Sequence, residues 1–393
     1  MDKSGSRIVG LSVKIRCHNK HPGAGGVRVK ITIEKNDLQK IITALSGTVS
    51  SKTTMPILAN ILVEAGSGEI RCAATDLEIG LDCRFPVMVE AEGGIALPAR
   101  KLGEIVRELP NAPVYFDIEN QVAKISCDRS HISLSGMSVD DFPPMPDFPE
   151  EPALELESSV LKNLLDKTRI AVSTEELRYA LNGIYFHSVD NELRLVSTDG
   201  RRLSMMKLKV ESGIKEKLGV IVPTKAIDQL SRILEAGPKV QIALKNNQIF
   251  FKVAEYILSS RLIDGQFPNY EQVIPAGREK KIALNTQRFL QSLRRVSVLA
   301  SEKNNMVKLS LMNAKIIVAS NTPELGDATD EFDVVYKGED LQVAYNVKYV
   351  IDVLKNIETE ETLLEFNQPL APGVFRPADS QNYINVIMPM KIS

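Results

Sequence analysis

One pattern of apolar and polar positions occurs three times along the chain. Alternating apolar residues, which predict a strand, give way to apolar residues at i, i+3 and i+4, which predict an amphipathic helix. The three copies are VKITIEKNDLQKIITALSG from Val29, PALELESSVLKNLLDKTRIAVS from Pro152 and KKIALNTQRFLQSLRRVSVLAS from Lys280. Ser158 and Asn285 stand where the second and third helices need an N-cap.

Two more patterns recur in the same order. A strand that ends in a polar turn appears as IRCAATDLEIG from Ile70, LRLVSTDGRRL from Leu193 and IIVASNTPELG from Ile316. A short strand that enters a second helix appears as IALPARKLGEIVRELP, GVIVPTKAIDQLSRILEAG and QVAYNVKYVIDVLKNIET. Thr75 and Thr198 are 123 residues apart, and so are Thr198 and Asn321.

A period of this length is that of a domain, because solenoid repeats run only to about 50 residues. We therefore predict an α+β chain of three tandem homologous domains, each with two helices packed on antiparallel sheets of about eight strands. The predicted boundaries are 1–28 for a leader, and 29–151, 152–279 and 280–393 for the domains. The glycine and charge content of the leader predicts disorder.

The composition is that of an ordinary folded protein, with 44% apolar and 25% charged residues. No stretch approaches 18 consecutive apolar residues, so we expect no membrane span. The amino-terminal segment lacks the apolar block of a secretory signal. The four cysteines are scattered and none has CxxC spacing, which favours a reduced, cytoplasmic location.

The net charge of −2 conceals an uneven distribution. The six predicted helices carry about +7 and residues 1–28 carry +5, so the remaining strands and loops carry about −14. Solvated helix faces would explain any single basic helix. Six related basic helices instead suggest one cationic surface, which could hold a polyanion such as DNA through its phosphates.

The sequence offers little for catalysis. No phosphate-binding GxxxxGK[ST] loop, GxSxG turn or HExxH helix is present. Asp76 and Asp199 could act as a carboxylate pair, but their recurrence in matching turns favours Asx-type turns. Cys17, His18 and His21 form only a weak metal-ligand candidate in a glycine-rich segment. We expect no catalytic residue, metal or cofactor.

Eight motifs give the chain a specific likeness. They are TMPILANILVEA at Thr54–Ala65, TDLEIGL at Thr75–Leu81, LPARKLGEIVRELP at Leu97–Pro110, RYALNGIYF at Arg178–Phe186, TDGRRL at Thr198–Leu203, DGQFPNY at Asp264–Tyr270, NVKYVIDVL at Asn346–Leu354 and VIMPMKI at Val386–Ile392. In this order the chain resembles the bacterial sliding clamps, the beta subunits of DNA polymerase III. The resemblance implies a head-to-tail homodimer that closes as a ring around double-stranded DNA, tethers the replicative polymerase and catalyses nothing.

The resemblance also implies three groups of site residues. The implied DNA contacts are Lys52, Arg100, Arg107, Arg178 and Lys225. The implied partner-peptide pocket comprises Leu181, Thr198, Gly200, Arg201, Arg202, Leu203, Pro268, Val273, Asn346, Tyr349, Val386, Met388, Pro389 and Met390. The implied dimer interface pairs Ile132 and Leu134 with Val298 and Leu299.

In the family, that pocket receives short peptide motifs of the replicative polymerase, the clamp loader, repair polymerases and mismatch repair proteins. We predict that VIMPMKI forms an edge strand whose Met388 and Met390 face the groove, since Pro389 lacks the N–H of a central strand. Two other functions remain open: a multidomain peptide-binding scaffold that does not encircle DNA, and an enzyme that uses the paired aspartates.

Overall fold

The computed structural model describes residues 28–50, 53–211, 213–276, 278, 280–301, 305–312, 314–323, 325–336, 338–368 and 370–392. The candidate DNA contact Lys52 and the weak metal-ligand group at positions 17, 18 and 21 lie outside these residues. Arg28, the last residue of the predicted leader, donates to the Asp117 carboxylate at 2.6 and 2.9 Å.

Among the described residues, each repeat contains two α-helices. They are α1 (Lys35–Ser46), α2 (Ala99–Glu108), α3 (Ser158–Thr168), α4 (Thr224–Ile233), α5 (Thr286–Ser297) and α6 (Val347–Lys355). Their apolar faces are buried as the i, i+3, i+4 spacing predicts, for example Leu38, Ile41, Ile42 and Leu45 in α1. No helix among the described residues is long and apolar enough to cross a membrane.

The two N-cap predictions have different outcomes. Asn285 is the N-cap of α5, and its side chain accepts a hydrogen bond from the Arg288 N–H at 3.0 Å. The prediction for Ser158 was wrong, because Ser158 is already the first residue of α3 and is almost fully buried. Its N–H donates to the Pro238 carbonyl instead.

The strands form antiparallel ladders. Repeat one contributes β1 (Val29–Glu34), β2 (Asn60–Gly66), β3 (Glu69–Thr75), β4 (Ile79–Pro86), β5 (Met88–Ala91), β6 (Gly93–Pro98), β7 (Pro113–Glu119), β8 (Val122–Cys127) and β9 (Ser130–Ser135). Repeat two contributes β10 (Leu154–Glu157), β11 (Gly183–Val189), β12 (Glu192–Thr198), β13 (Arg202–Lys209), β14 (Gly219–Pro223), β15 (Lys239–Lys245), β16 (Gln248–Val253) and β17 (Tyr256–Arg261). Repeat three contributes β18 (Lys280–Asn285), β19 (Met306–Met312), β20 (Lys315–Thr322), β21 (Gly326–Asp333), β22 (Leu341–Asn346), β23 (Glu361–Phe366), β24 (Gly373–Pro377) and β25 (Tyr383–Ile387).

Two of the four sheets that the described residues form run across the repeat boundaries. At the first joint, β17 of repeat two pairs with β4 of repeat one, which gives the order β10-β15-β16-β17-β4-β3-β2-β6. At the second joint, β25 of repeat three pairs with β13 of repeat two, which gives β14-β11-β12-β13-β25-β24-β23-β18. Neighbouring repeats are therefore joined by continuous backbone hydrogen bonding.

The prediction of a carboxy-terminal edge strand was wrong. β25 ends at Ile387 and lies centrally between β13 and β24. Pro389 lies two residues beyond the ladder, where its missing N–H costs no strand hydrogen bond. Period-two alternation therefore does not extend through Met388 and Met390.

The other two sheets end in strands that have one edge without a partner in the described residues. One sheet has the order β5-β1-β7-β8-β9, and the other has the order β21-β20-β19-β22. The helices cover one face of the sheets. On the opposite face, each joint has a small apolar cluster, which contains Leu58, Leu62 and Phe142 at the first joint and Leu203, Phe267 and Val386 at the second.

Candidate DNA-binding and peptide-binding surfaces

The two recurring aspartates serve the backbone of their turns. Asp76 Oδ1 accepts the N–H groups of Glu78 and Ile79 at 3.0 and 2.8 Å. Asp199 Oδ1 accepts those of Arg201 and Arg202 at 2.8 and 2.9 Å. The prediction of Asx-type turns is confirmed, since one carboxylate oxygen of each aspartate accepts two backbone N–H groups of its own turn.

Basic residues recur at two positions of the second helix of every repeat. The second residue of α2, α4 and α6 is Arg100, Lys225 and Lys348, respectively. Seven residues later, the same helices carry Arg107, Arg232 and Lys355. Because seven residues make about two helical turns, both positions lie on one face of each helix.

These basic side chains differ in their ion pairing. Arg100 Nε donates to Glu104 Oε1 at 3.0 Å, and the Lys225 ammonium contacts the Asp76 carboxylate across the first joint. Burial also lowers the pKa of Lys225. Within the described part of the chain, Arg107 and Lys355 form no ion pair. Their charge is therefore more available to an external phosphate than that of Arg100 or Lys225.

Arg178, the remaining candidate DNA contact, does not lie on a basic helix. It belongs to a 3-10 segment, Glu176–Leu181, and its Nη1 donates to the Asp199 carbonyl at 2.5 Å. A second bond joins its Nε to Glu175 at 3.0 Å. Arg178 thus supports the turn beside the candidate peptide pocket.

The floor of the candidate pocket is the second joint itself. Leu203 of β13 pairs directly with Val386 of β25, and both side chains are buried on the face away from the helices. Leu181 packs against the same apolar cluster. At the rim, Val273 and Met388 are 40% and 44% exposed, unusually high values for large apolar side chains beside a buried cluster.

Polar residues hold the rim of this pocket in place. Arg202 donates to Asp199 at 3.1 Å and to Asp352 of α6 at 2.9 Å. Its guanidinium carbon lies 4.3 Å from the centre of the Tyr349 ring. The Asn346 side chain caps α6 through the Lys348 N–H at 3.0 Å. The contacts of Arg202 with Asp352 and Tyr349 attach repeat three to the turn that carries Thr198, Gly200 and Arg201.

The carboxy-terminal segment closes one side of the pocket through its backbone. The Met388 N–H donates to the Arg201 carbonyl at 2.9 Å, and the Met390 N–H donates to the Ala344 carbonyl of β22 at 2.7 Å. Exposed Pro268 precedes Val273 on the segment that follows β17. The structure therefore brings the candidate pocket residues together from repeats two and three, while their role in binding stays a prediction.

Sequence reasoning missed an aromatic group next to this pocket. The rings of Tyr185 and Phe267 stack 4.7 Å apart, and the Tyr270 hydroxyl lies 2.8 Å from His187 Nδ1. Burial, and secondarily the charge of Arg194, lowers the pKa of His187. All four residues lie in two recognisable segments, GIYFHSV of β11 and the motif DGQFPNY. The sequence pattern does not show that these two segments are in contact.

The residues of the candidate dimer interface lie in two separate places. Ile132 and Leu134 are half-buried on β9, at a free edge of the first sheet. Val298 directly follows α5 and is 76% exposed, whereas the neighbouring Leu299 is half-buried. The Leu299 carbonyl accepts the Thr322 hydroxyl at 2.7 Å, next to the free strand β21.

Comparison with protein families gives three adjoining matches. Residues 29–146 match the DNA polymerase III beta subunit, N-terminal domain, residues 155–269 match its central domain, and residues 271–391 match its C-terminal domain. The predicted fold of three tandem domains of this kind is thereby confirmed.

Among curated proteins, the beta sliding clamp of Bacillus subtilis is 33% identical over 377 residues, which cover 92% of this chain and 100% of that protein. The beta sliding clamp of Escherichia coli K12 is 31% identical, with 93% and 100% covered. Among solved structures, a Pseudomonas aeruginosa sliding clamp bound to griselimycin aligns with a TM-score of 0.89 at 32% identity and covers 94% of this chain and 100% of its own.

Proposed function

This chain belongs to the DNA polymerase III beta subunit family, the DNA sliding clamps, and from that premise we propose how its own residues close the ring, contact DNA and hold partner peptides. The function is topological: a closed ring tethers the polymerase while it moves along the duplex. We infer that the chain needs no catalytic group for this task. We also propose a cytoplasmic location, in keeping with the buried free thiols of Cys72, Cys83 and Cys127.

Ring closure is supported most directly by one position that recurs in all three repeats. Gly47, Ile170 and Val298 each lie twelve residues after the first residue of α1, α3 and α5. Gly47 is covered by Gln229 and Arg232 of repeat two, and Ile170 packs against the core of repeat three. Val298 remains 76% exposed. We infer that a second copy of the chain covers it.

The two strands with an unpaired edge in the described residues, β9 and β21, correspond to strands that form the joints. In its repeat, β21 follows the turn that corresponds to the turns before β4 and β13. In its repeat, β9 is the last strand, as β17 is in repeat two. In the first joint Gly80 pairs with Ser259, and in the second Leu203 pairs with Val386. Thr75 pairs with Gly80, Thr198 with Leu203 and Asn321 with Asp327, so the same register places Ser133 of one protomer opposite Asp327 of the next. Free strand edges accept another chain readily, and a head-to-tail contact closes when its rotation allows.

DNA contact is proposed to be electrostatic and spread over the second helices. Sliding requires contacts with phosphates, because contacts with base edges would stop the ring at particular sequences. The recurring positions of Arg107, Arg232 and Lys355 suit this role on helices that surround the duplex. Of the four implied contacts among the described residues, Arg107 is the one without an ion pair of its own.

Partner binding is proposed at the groove over the second joint. Leu203 and Val386 provide a buried apolar floor, and Val273 and Met388 provide exposed apolar walls. Such a groove fits a short extended peptide with one or two large apolar residues, since a few buried side chains carry most binding energy. That relatives have been solved with griselimycin bound agrees with a ligand site in the family. We propose the replicative polymerase, the clamp loader and repair proteins as the partners.

The first test of this proposal is the mass in solution together with a crosslink. Wild-type protein is expected at twice 43.4 kDa by sedimentation equilibrium. A Ser133→Cys, Asp327→Cys variant is expected to form a covalent dimer on oxidation, because directly paired strand residues bring Cα atoms within disulfide range. Either single-cysteine variant is the control. A monomeric wild type, or no crosslink in a dimer, would contradict this ring geometry.

A further inference from the structure

The linker between repeats one and two crosses the outside of the first joint as an extended segment. We call residues 142–149, FPPMPDFP, the strap. Positions 143–149 belong to no helix or strand, and four of the eight residues are proline. Proline favours the polyproline II conformation, with three residues per turn. Phe142, Met145 and Phe148 are three apart and would share one side.

Each of these apolar residues contacts a different part of the sheet. Phe142 is buried in the cluster with Ile57 and Leu58 of repeat one. Met145 lies on the joint itself: a Cβ placed on Gly80 would be 2.6 Å from Met145 Cε and 3.0 Å from Ser259 Oγ. Phe148 meets the Phe250 ring of repeat two edge-on, with centres 6.4 Å apart. The strap therefore spans both repeats.

The surface under the strap corresponds to the candidate peptide pocket of the second joint. Gly80 faces Thr75 and Ser259, just as Leu203 faces Thr198 and Val386. The remaining walls also match in pairs. Leu58 matches Leu181, Phe142 matches Phe267, and the single-residue bridge of Met137 to β6 matches that of Ile263 to β14.

The floors of the two grooves differ in one respect. At the second joint, Leu203 and Val386 fill the floor with their own side chains, and the groove above them stays open beside exposed Val273 and Met388. At the first joint, the floor pair is Gly80 and Ser259, and the resulting hollow is filled by Met145.

We propose that the first joint is a second peptide groove, kept closed by the strap of the same chain, and that it takes extended peptides with two large apolar residues three positions apart. This inference deepens the proposed peptide binding at the second joint and rests on it. A tethered segment acts at an effective concentration near the millimolar range. A free peptide of micromolar affinity therefore cannot displace it, and the wild-type chain offers one open groove.

The test uses the full chain and a fluorescent synthetic peptide with the strap sequence FPPMPDFP. In a Met145→Ser, Phe148→Ser variant, the strap no longer packs on the sheet, so we expect one additional peptide site per chain with at least tenfold tighter binding than the wild type shows at this joint. A photoreactive group on the peptide should label the segment around Leu58 and Met137. The matched control is Met88→Ser, which removes an exposed methionine from β5 in a different sheet and should leave the peptide stoichiometry at the wild-type value.

Equal stoichiometry for the wild type and a folded double variant would overturn the inference. Circular dichroism and sedimentation establish that the variant is folded and dimeric. If it is not, Met145→Ser alone is tested by the same crosslinking, and the absence of label near Leu58 overturns the inference equally. Failure of the wild type to bind any partner peptide at the second joint would instead contradict the proposed function, so the two failures are distinguishable.

Discussion

The two joints within the chain and the two free strands at its ends are built from corresponding elements, yet only the joints are closed. At the joints, β4 pairs with β17 and β13 pairs with β25, and the next repeat covers Gly47 and Ile170, each twelve residues after the start of its helix. At the ends, β21 and β9 have one unpaired edge in the described residues, and Val298 is exposed. The same contact forms twice within the chain, and its two surfaces are exposed once more at the two ends. Those surfaces are suited to pairing with a second copy of the chain and so closing a ring.

The largest effect is expected when a charge replaces exposed Val298, which we propose that the second protomer covers. Val298→Asp would bury an unpaired carboxylate between protomers and cost roughly 3–5 kcal/mol at each contact. Sedimentation velocity should then show folded monomers at micromolar concentration. Met88→Asp, an exposed substitution on the opposite edge strand of the β9 sheet, should leave the dimer intact. An unchanged dimer in the Val298→Asp variant would show that Val298 lies outside the interface.

The next effect concerns the open groove of the second joint. Deletion of Met388–Ser393 removes the exposed methionine and the backbone bonds to Arg201 and Ala344. A side chain that a bound peptide covers at a hot spot contributes about 2 kcal/mol or more, so the dissociation constant of a labelled partner peptide should rise at least about thirtyfold. The dimer should persist, because both free strands are untouched. Equal peptide affinity of the wild-type and truncated proteins would show that this groove does not bind the peptide.

A smaller effect is expected on DNA affinity. Arg107→Glu, Lys355→Glu changes side chains without ion pairs in the described residues, whereas Arg100→Glu, Lys225→Glu changes side chains already bound to carboxylates. The first variant should therefore weaken DNA binding more, and its salt slope should fall by about 0.9 for each phosphate that the ring no longer neutralises. Fluorescence anisotropy across a salt series measures both quantities. The reverse order of the two variants would show that internal pairing does not decide phosphate contact.

The smallest effect is expected on the free energy of unfolding, when one polar residue at each joint is replaced. Arg202→Ala removes charge-assisted bonds to Asp199 and Asp352 and should lower the free energy of unfolding by about 1.5–3 kcal/mol. Gln229→Ala removes one neutral bond to the Ala44 carbonyl and should cost about 0.5–1.5 kcal/mol. Urea titration distinguishes them. A larger destabilisation in Gln229→Ala would reverse the ranking of the joints.

Much of the fold was predictable because its signals are local. Helix periodicity identified α1 to α6 to within a few residues, and the repeated threonine–aspartate turns indicated Asx-type structure before any hydrogen bond was seen. The 123-residue period followed from the same local patterns. Local pattern reports burial and turn geometry, and these depend on residues that are near in sequence.

The pairings between repeats were not predictable in this way. The ladder of β25 with β13 joins positions about 180 residues apart in the chain, so the Val-Ile-Met-Pro-Met motif alone does not indicate a central strand. For the same reason, the pairing of Lys225 with Asp76 and the packing of Met145 on Gly80 were missed. Each depends on which distant strand lies next to which.

The most direct test of the central claim is retention on circular and linear DNA. The clamp, loaded onto nicked circular duplex by its loader, is separated from free protein by gel filtration in salt high enough to screen phosphate contacts. We predict that wild-type protein stays with the circle and is released when a restriction enzyme linearises it, and that the oxidised Ser133→Cys, Asp327→Cys ring behaves in the same way once it is closed around the circle. Equal retention on circular and linear DNA, or release from both, would contradict encirclement.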